Sequence, residues 1–215
     1  MHFFSVPSTI QWLIPSCTWR KVGQEKVIYL TFDDGPHPEI TAWVIDELKK
    51  HQIKATFFCV GDNLKKHPET AKQLLTEGHQ IGNHTMHHIK GWKHKNVDYL
   101  KDIEDCDTEI RKIHAQMNDE KAQPRLFRPP YGQIKPSQIK LLCAKGYEII
   151  QWSDLSCDYD KHLNCEKSLT TLVKNAKPGS IVVFHDSEKA ENQLKQILPS
   201  YLEAMLAKGF TFETL

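Results

Sequence analysis

About seven short apolar runs, rich in β-branched and aromatic residues, recur along the chain, and all but the last are followed by a stretch of helical periodicity. The runs fall at 26–32 (KVIYLTF), 55–60 (ATFFCV), 79–83 (HQIGN), 125–128 (RLFR), 147–152 (YEIIQW), 180–184 (SIVVF) and 210–215. Between them, helical stripes read at 39–51, 65–77, 96–116, 136–145, 169–175 and 192–208. Parallel strands need a crossover between them, and a helix is the usual one. The alternation therefore predicts an α/β architecture built on a parallel sheet. Polar clusters fall just after strands: Asp33-Asp34, His84 to His88, Arg128 and His185-Asp186. In α/β folds the ligand site lies at the carboxyl ends of the strands, so these clusters are expected to meet in one composite site.

The 215 residues suffice to bury a core without metal or disulfide staples. No internal repeat or low-complexity linker divides them, so one domain is expected over 26–215, preceded by a lead-in over 1–25. The formal net charge of +1 gives no footing for a nucleic-acid partner. The six cysteines form no C-x-x-C pair and read as reduced thiols, with a Cys157–Cys165 bridge as the alternative. Met1-His2-Phe3-Phe4 lacks a basic n-region, and Pro7 and Pro15 interrupt the apolar residues, so the start does not read as a secretory signal. No run approaches the ~20 apolar residues of a membrane span. The lead-in is expected to pack on the domain. Its apolar residues Phe3, Phe4, Ile10, Trp12, Leu13 and Ile14 leave a weak peripheral membrane contact as the alternative. The expected location is the cytoplasm or the inner face of the membrane.

Thr31-Phe32-Asp33-Asp34-Gly35-Pro36 puts two carboxylates at a strand end, just before a Gly-Pro break. Side by side they need a compensating cation, or one takes a proton. A metal neutralises one of them and leaves the other as a base. His84 and His88 are four residues apart, and a helical turn would put both imidazoles on one face, ready to share that metal. His87 competes at a spacing of three. Two histidines and one aspartate leave positions open for water and substrate, as hydrolysis requires. Arg128 can hold the second carboxylate ionised, and the rigid Pro129-Pro130 pair can fix a backbone N–H for an oxyanion. His185 can protonate a leaving amine, with Asp158 to orient it.

Taken in order, TFDDGP, H-T-M-H-H, RPPYG, a segment from Trp152 to Asp158, and V-V-F-H-D resemble the motifs of the NodB-homology polysaccharide deacetylases, across residues 26–215. The resemblance implies a single-domain α/β fold, a distorted, incomplete (β/α)7-type barrel. It implies a divalent metal, Zn2+ foremost with Co2+ as the alternative, on Asp34, His84 and His88. It makes Asp33 the base held by Arg128, His185 the acid tuned by Asp158, and the Tyr131 N–H a donor to the oxyanion. It sets Tyr159, Val182, Trp152 and Pro130 around the substrate and its acetyl methyl. The chain departs from the pattern at Leu155, where Asp is common, at Tyr159, where Trp is, and at His87, where Ser is. These departures touch the groove rather than the reacting groups.

The expected function is hydrolysis of N-acyl groups from amino sugars of a glycan such as peptidoglycan or a chitin-type oligosaccharide. The alternatives are a lipid-linked or cytosolic amino sugar, a non-sugar amide or imide, and a carbohydrate-binding module descended from an enzyme.

Overall fold

The structure is a computed structural model that describes residues 4–23, 25–117 and 124–215. Among the described residues eight strands are formed: β1 (Val27–Asp33), β2 (Thr56–Cys59), β3 (Gln80–Asn83), β4 (Arg125–Phe127), β5 (Tyr147–Ile149), β6 (Asp154–Leu155), β7 (Ser180–His185) and β8 (Thr211–Glu213). The helices are α1 (Ser8–Leu13), α2 (Ile40–Lys50), α3 (Gly61–Lys66), α4 (Pro68–Thr76), α5 (Asn96–Gln116), α6 (Pro136–Ala144), α7 (Cys165–Asn175) and α8 (Glu191–Ala207). The strands pair in the order β5-β4-β3-β2-β1-β7-β6, all parallel. β8 pairs with the first half of β1, on the edge that β2 takes further along.

Strand order alone forces this sheet to curl. β5 and β6 lie at its two ends, yet only residues 150–153 separate them in the chain. An extended chain of that length spans at most about 18 Å. Seven strands laid flat would hold their outer members about 29 Å apart. The sheet must therefore close towards a barrel, and the expected incomplete (β/α)7-type barrel is what forms.

Residues 4–21 run across the remaining gap. The Thr18 N–H donates to Ile149 C=O at 2.8 Å, and the Gln151 N–H to Thr18 C=O at 2.8 Å. On the other side the Lys21 N–H reaches Gly179 C=O at 3.0 Å, and Arg20 pairs with Ser180. The Leu155 N–H donates to Phe4 C=O at 2.9 Å. The stretch read as a lead-in thus pairs its backbone with both ends of the sheet. Phe4 is buried, whereas Trp12 and Leu13 are exposed. Phe3 and the Ile10 side chain lie outside the described residues. Among the described residues, no helix is long and apolar enough to cross a membrane.

Two alternating faces set the core and the site. Ile28, Leu30 and Phe32 of β1 join Phe57, Val182 and Phe184 in the main core, against Val44, Ile45 and Leu48 of α2 and Leu194, Ile197 and Leu198 of α8. Phe32 stacks on Phe57 with ring centroids 4.8 Å apart, a pair worth about 0.5–1.5 kcal/mol beyond burial. Phe58, Leu126, Ile150 and Ile181 fill the barrel interior. With a period of two, Asp33 and His185 share that interior face, and the register sets them directly opposite each other.

Two expectations change. The helix read over 65–77 is two helices, because Pro68 lacks an N–H and opens α4 as its first residue. Val182, expected in the acyl pocket, points to the helix side and packs in the core, and its neighbour Val183 takes the groove.

Candidate active site

Asp33 closes β1 and is buried. Arg128, fully buried at the end of β4, donates from Nη1 to Asp33 Oδ1 and to Thr31 Oγ1, both at 2.7 Å. Its Nε reaches Ile150 C=O at 3.3 Å and its Nη2 reaches Gln151 C=O at 3.1 Å. The guanidinium lies 4.1 Å above the Phe58 ring. A charge this deep persists only when paired and hydrogen-bonded. Burial pulls the Arg128 pKa below its ordinary value, and the Asp33 carboxylate opposes that pull.

Asp34, His84 and His88 bring one ligand atom each within 4.8 Å of one another. His88 Nε2 is 3.1 Å, and His84 Nε2 3.6 Å, from Asp34 Oδ1. The His84 Nδ1–H donates to Arg128 C=O at 2.8 Å, which fixes the tautomer and leaves Nε2 as a ligand. Burial pushes the His84 pKa down to about 4, so the imidazole is neutral near pH 7, the form that ligates. Burial opposes ionisation of Asp34, but the His88 hydrogen bond and the surrounding imidazoles hold its carboxyl well below the usual range. Two imidazole nitrogens and a carboxylate, converging at an open groove, fit a divalent cation with free positions for water and substrate.

The histidine loop is not the helical turn expected from its spacing. Thr85 and His88 have φ of 66° and 54°, in the left-handed region. Side chains impose that path. Asn83 Oδ1 accepts the Thr85 N–H at 2.8 Å, and Asp102 Oδ1, on α5, accepts the Met86 and His87 N–H groups at 2.8 and 3.2 Å. The His87 ring bonds Asp102 Oδ2 and so stands apart from the ligand set.

At the end of β7, the His185 Nδ1–H donates to Asp158 Oδ1 at 2.7 Å, and the His185 N–H to Asp158 Oδ2 at 2.8 Å. His185 Nε2 is thereby left for a substrate. Burial alone would lower this histidine's pKa, but Asp158 and the more distant Asp34 and Asp33 push it up to about 9. The Tyr159 ring meets His185 edge-on at 5.2 Å.

Tyr131 sits in a short 3-10 turn with φ 59°. The Gly132 and Gln133 N–H groups close the turn onto Pro129 and Pro130 C=O, at 2.9 and 3.1 Å. Gln151 Nε2 donates to Gly132 C=O at 3.3 Å and braces it. A Cβ on Gly132 would lie 2.9 Å from the Trp152 ring, so the turn packs tightly there.

All of this opens on a groove of about 880 Å³, with Asp33, Asp34, Tyr131, Trp152, Tyr159 and His185 among its walls. Leu155 lines it as well, so the departures at 155 and 159 do fall on the groove. Pro130, expected on the pocket wall, is instead buried within its turn. Its ring starts the turn, and the next residue reaches the groove. Thr31, Asn63 and Asp186 also serve the site, and the sequence alone assigns none of them a role there. Asp186 follows His185 directly and was the legible one. Nothing local marks Asn63.

An open two-histidine, one-carboxylate ligand set, flanked by a buried carboxylate and a carboxylate-backed histidine at the carboxyl ends of a parallel sheet, fits the class of metal-dependent hydrolases. Within that class, the polysaccharide deacetylase family model matches residues 20–150. A peptidoglycan-N-acetylglucosamine deacetylase of Bacillus cereus is 36% identical over 199 residues, which cover 92% of this chain and 90% of the relative. A chitooligosaccharide deacetylase of Azorhizobium caulinodans is 33% identical over 210 residues, covering 91% and 96%. A solved peptidoglycan N-acetylglucosamine deacetylase, in complex with 4-naphthalen-1-yl-N-oxidanyl-benzamide, superposes with a TM-score of 0.81 at 30% identity, covering 98% of this chain and 95% of the other. The chain belongs to the polysaccharide deacetylase family.

Proposed function

We propose that the chain hydrolyses N-acetyl groups from amino sugars of a peptidoglycan- or chitin-type glycan, with Zn2+ on Asp34, His84 and His88 and Co2+ as a working substitute. One observation carries the reading. The Asp33–Arg128 pair, the Asp34/His84/His88 set and the His185–Asp158 pair converge on a single groove. A binding module would need neither a buried base nor a carboxylate-backed histidine.

A divalent cation held there supplies Lewis-acid polarisation of the acyl carbonyl and makes water more acidic. Asp33, held in place by Arg128, takes the proton from the attacking water. The Tyr131 N–H donates to the oxyanion of the tetrahedral intermediate. His185 Nε2 gives its proton to the nitrogen as the C–N bond breaks, releasing acetate and a free amino sugar. Asp158 holds the ring's orientation and its charge.

Acetate release from N-acetylglucosamine oligomers and from peptidoglycan tests the reading. The metal-loaded protein is expected to turn over at least one of them, and a chelator to stop it. His84→Ala and His88→Ala are each expected to lose bound metal in elemental analysis. No acetate from either substrate, or full metal content in both variants, refutes the reading.

The His185–Asp158 pair also sets a pH dependence. His185 acts while protonated, so the rate falls as pH rises through its pKa. Asp158 raises that pKa towards about 9, and Asp158→Asn removes the charge that does so. The alkaline limb of the kcat profile is expected to move to lower pH by about one unit or more. A limb that stays in place assigns the proton to another group.

A further inference from the structure

Asp34 carries its ligand carboxylate on a strained backbone. Its φ is 79°, a region that side chains other than glycine rarely enter and that persists only where the surroundings impose it. Three hydrogen bonds impose it, one on the peptide before Asp34 and two on the peptide after it. The Asp186 N–H donates to Asp33 C=O at 3.1 Å. The Asn63 Nδ2–H donates to Asp34 C=O at 2.7 Å. The Gly35 N–H donates to Asp186 Oδ1 at 3.1 Å.

Asp186 therefore grips the chain on both sides of Asp34, with its N–H before it and its carboxylate after it. The residue is fully buried. Its other oxygen accepts the Thr41 hydroxyl, and that hydroxyl's oxygen accepts the His37 N–H at 2.7 Å. The fit is close on the side of the turn. A Cβ on Gly35 would stand 2.1 Å from Asp186 Oδ2, so residue 35 is glycine because this carboxylate occupies the space. The pairing of β1 with β7 ends at Asp33 and His185. Asp186 is the next residue along, and it carries that pairing into the turn.

We propose that Asp186 is a positioning residue which, together with Asn63, holds the Asp34 backbone in the one conformation that aims its carboxylate at His84 and His88. It touches no reacting atom and acts through Asp34. The proposal rests on the reading of Asp34, His84 and His88 as metal ligands.

The test compares wild type with Asp186→Ala, Asp186→Asn and Asn63→Ala. Zn2+ affinity is measured by competition with a chromophoric chelator, Co2+ geometry by the visible absorption of the substituted protein, and folding by circular dichroism and melting of the metal-free form. Outer-shell partners of metal ligands typically carry 10–100-fold in affinity, and Asp186→Ala is expected to weaken Zn2+ by about that factor and to perturb the Co2+ spectrum. Asp186→Asn keeps an acceptor oxygen for the Gly35 N–H and is expected to recover most of the affinity. Asn63→Ala is expected to weaken binding less than Asp186→Ala. Wild-type affinity in a folded Asp186→Ala protein overturns the proposal and leaves the ligand reading standing. Should that variant not fold, Thr41→Val, which removes the hydroxyl that aims the carboxylate, is read the same way: weakened Zn2+ binding supports the proposal and unchanged binding overturns it. Wild-type protein that takes up no Zn2+ overturns the ligand reading, and this proposal with it.

Discussion

Asp33→Asn is expected to lower kcat by about 10²–10⁴-fold, the range that a positioned base contributes, with the metal still bound. The substitution keeps the shape of the side chain and an oxygen for Arg128 Nη1, which now lies 2.7 Å from Asp33 Oδ1. It removes the capacity to accept a proton. Asp33 lies outside the group formed by Asp34, His84 and His88, so elemental analysis is expected to find wild-type metal content. The variant also leaves the fully buried Arg128 without its counter-charge, and a lower melting temperature is expected for that reason. Unchanged turnover at full metal content would take the base role away from Asp33.

Arg128→Met is expected to cost about 3–5 kcal/mol of stability, the scale for removing one partner of a buried ion pair. That is a large share of the roughly 5–15 kcal/mol that holds a typical domain folded. Methionine fills much of the volume but makes none of the bonds to Thr31, Asp33, Ile150 and Gln151. The larger consequence is positional. Without Arg128 Nη1 the Asp33 carboxylate loses the bond that holds it in place at the end of β1, so kcat is expected to fall, together with an earlier urea midpoint. Wild-type stability and wild-type kcat would show that Arg128 does neither job.

Much of the fold was legible because it is written in local periodicities. The alternation of apolar runs and helical stripes gave the parallel α/β class, and the polar residues after strands gave the site. The failures have physical causes. Val182 was misplaced because an error of one residue along a strand exchanges the core face for the site face. The His84–His88 spacing suggested a helix, yet Asn83 and Asp102 bend the loop through two left-handed residues, and one of those partners comes from α5. β6 has two residues, too few to leave a period. The grip of Asp186 on Gly35 joins residues 151 positions apart, and no window of sequence contains both.

The backbone bridge made by residues 4–21 has a consequence for how the ring can be assembled and trimmed. Arg20 pairs with Ser180, so the seam is sewn only after most of the chain exists, and such non-local pairing slows folding because the loop must close before the contact rewards it. The same seam sets a rule for shortening the protein. A boundary drawn at residue 26, where the sequence motifs begin, would bare the hydrogen-bonding edges of β5 and β6 together, and exposed strand edges invite pairing with other chains. The stretch with no part in the chemistry is the keystone that keeps the chemistry's scaffold a closed, self-contained object.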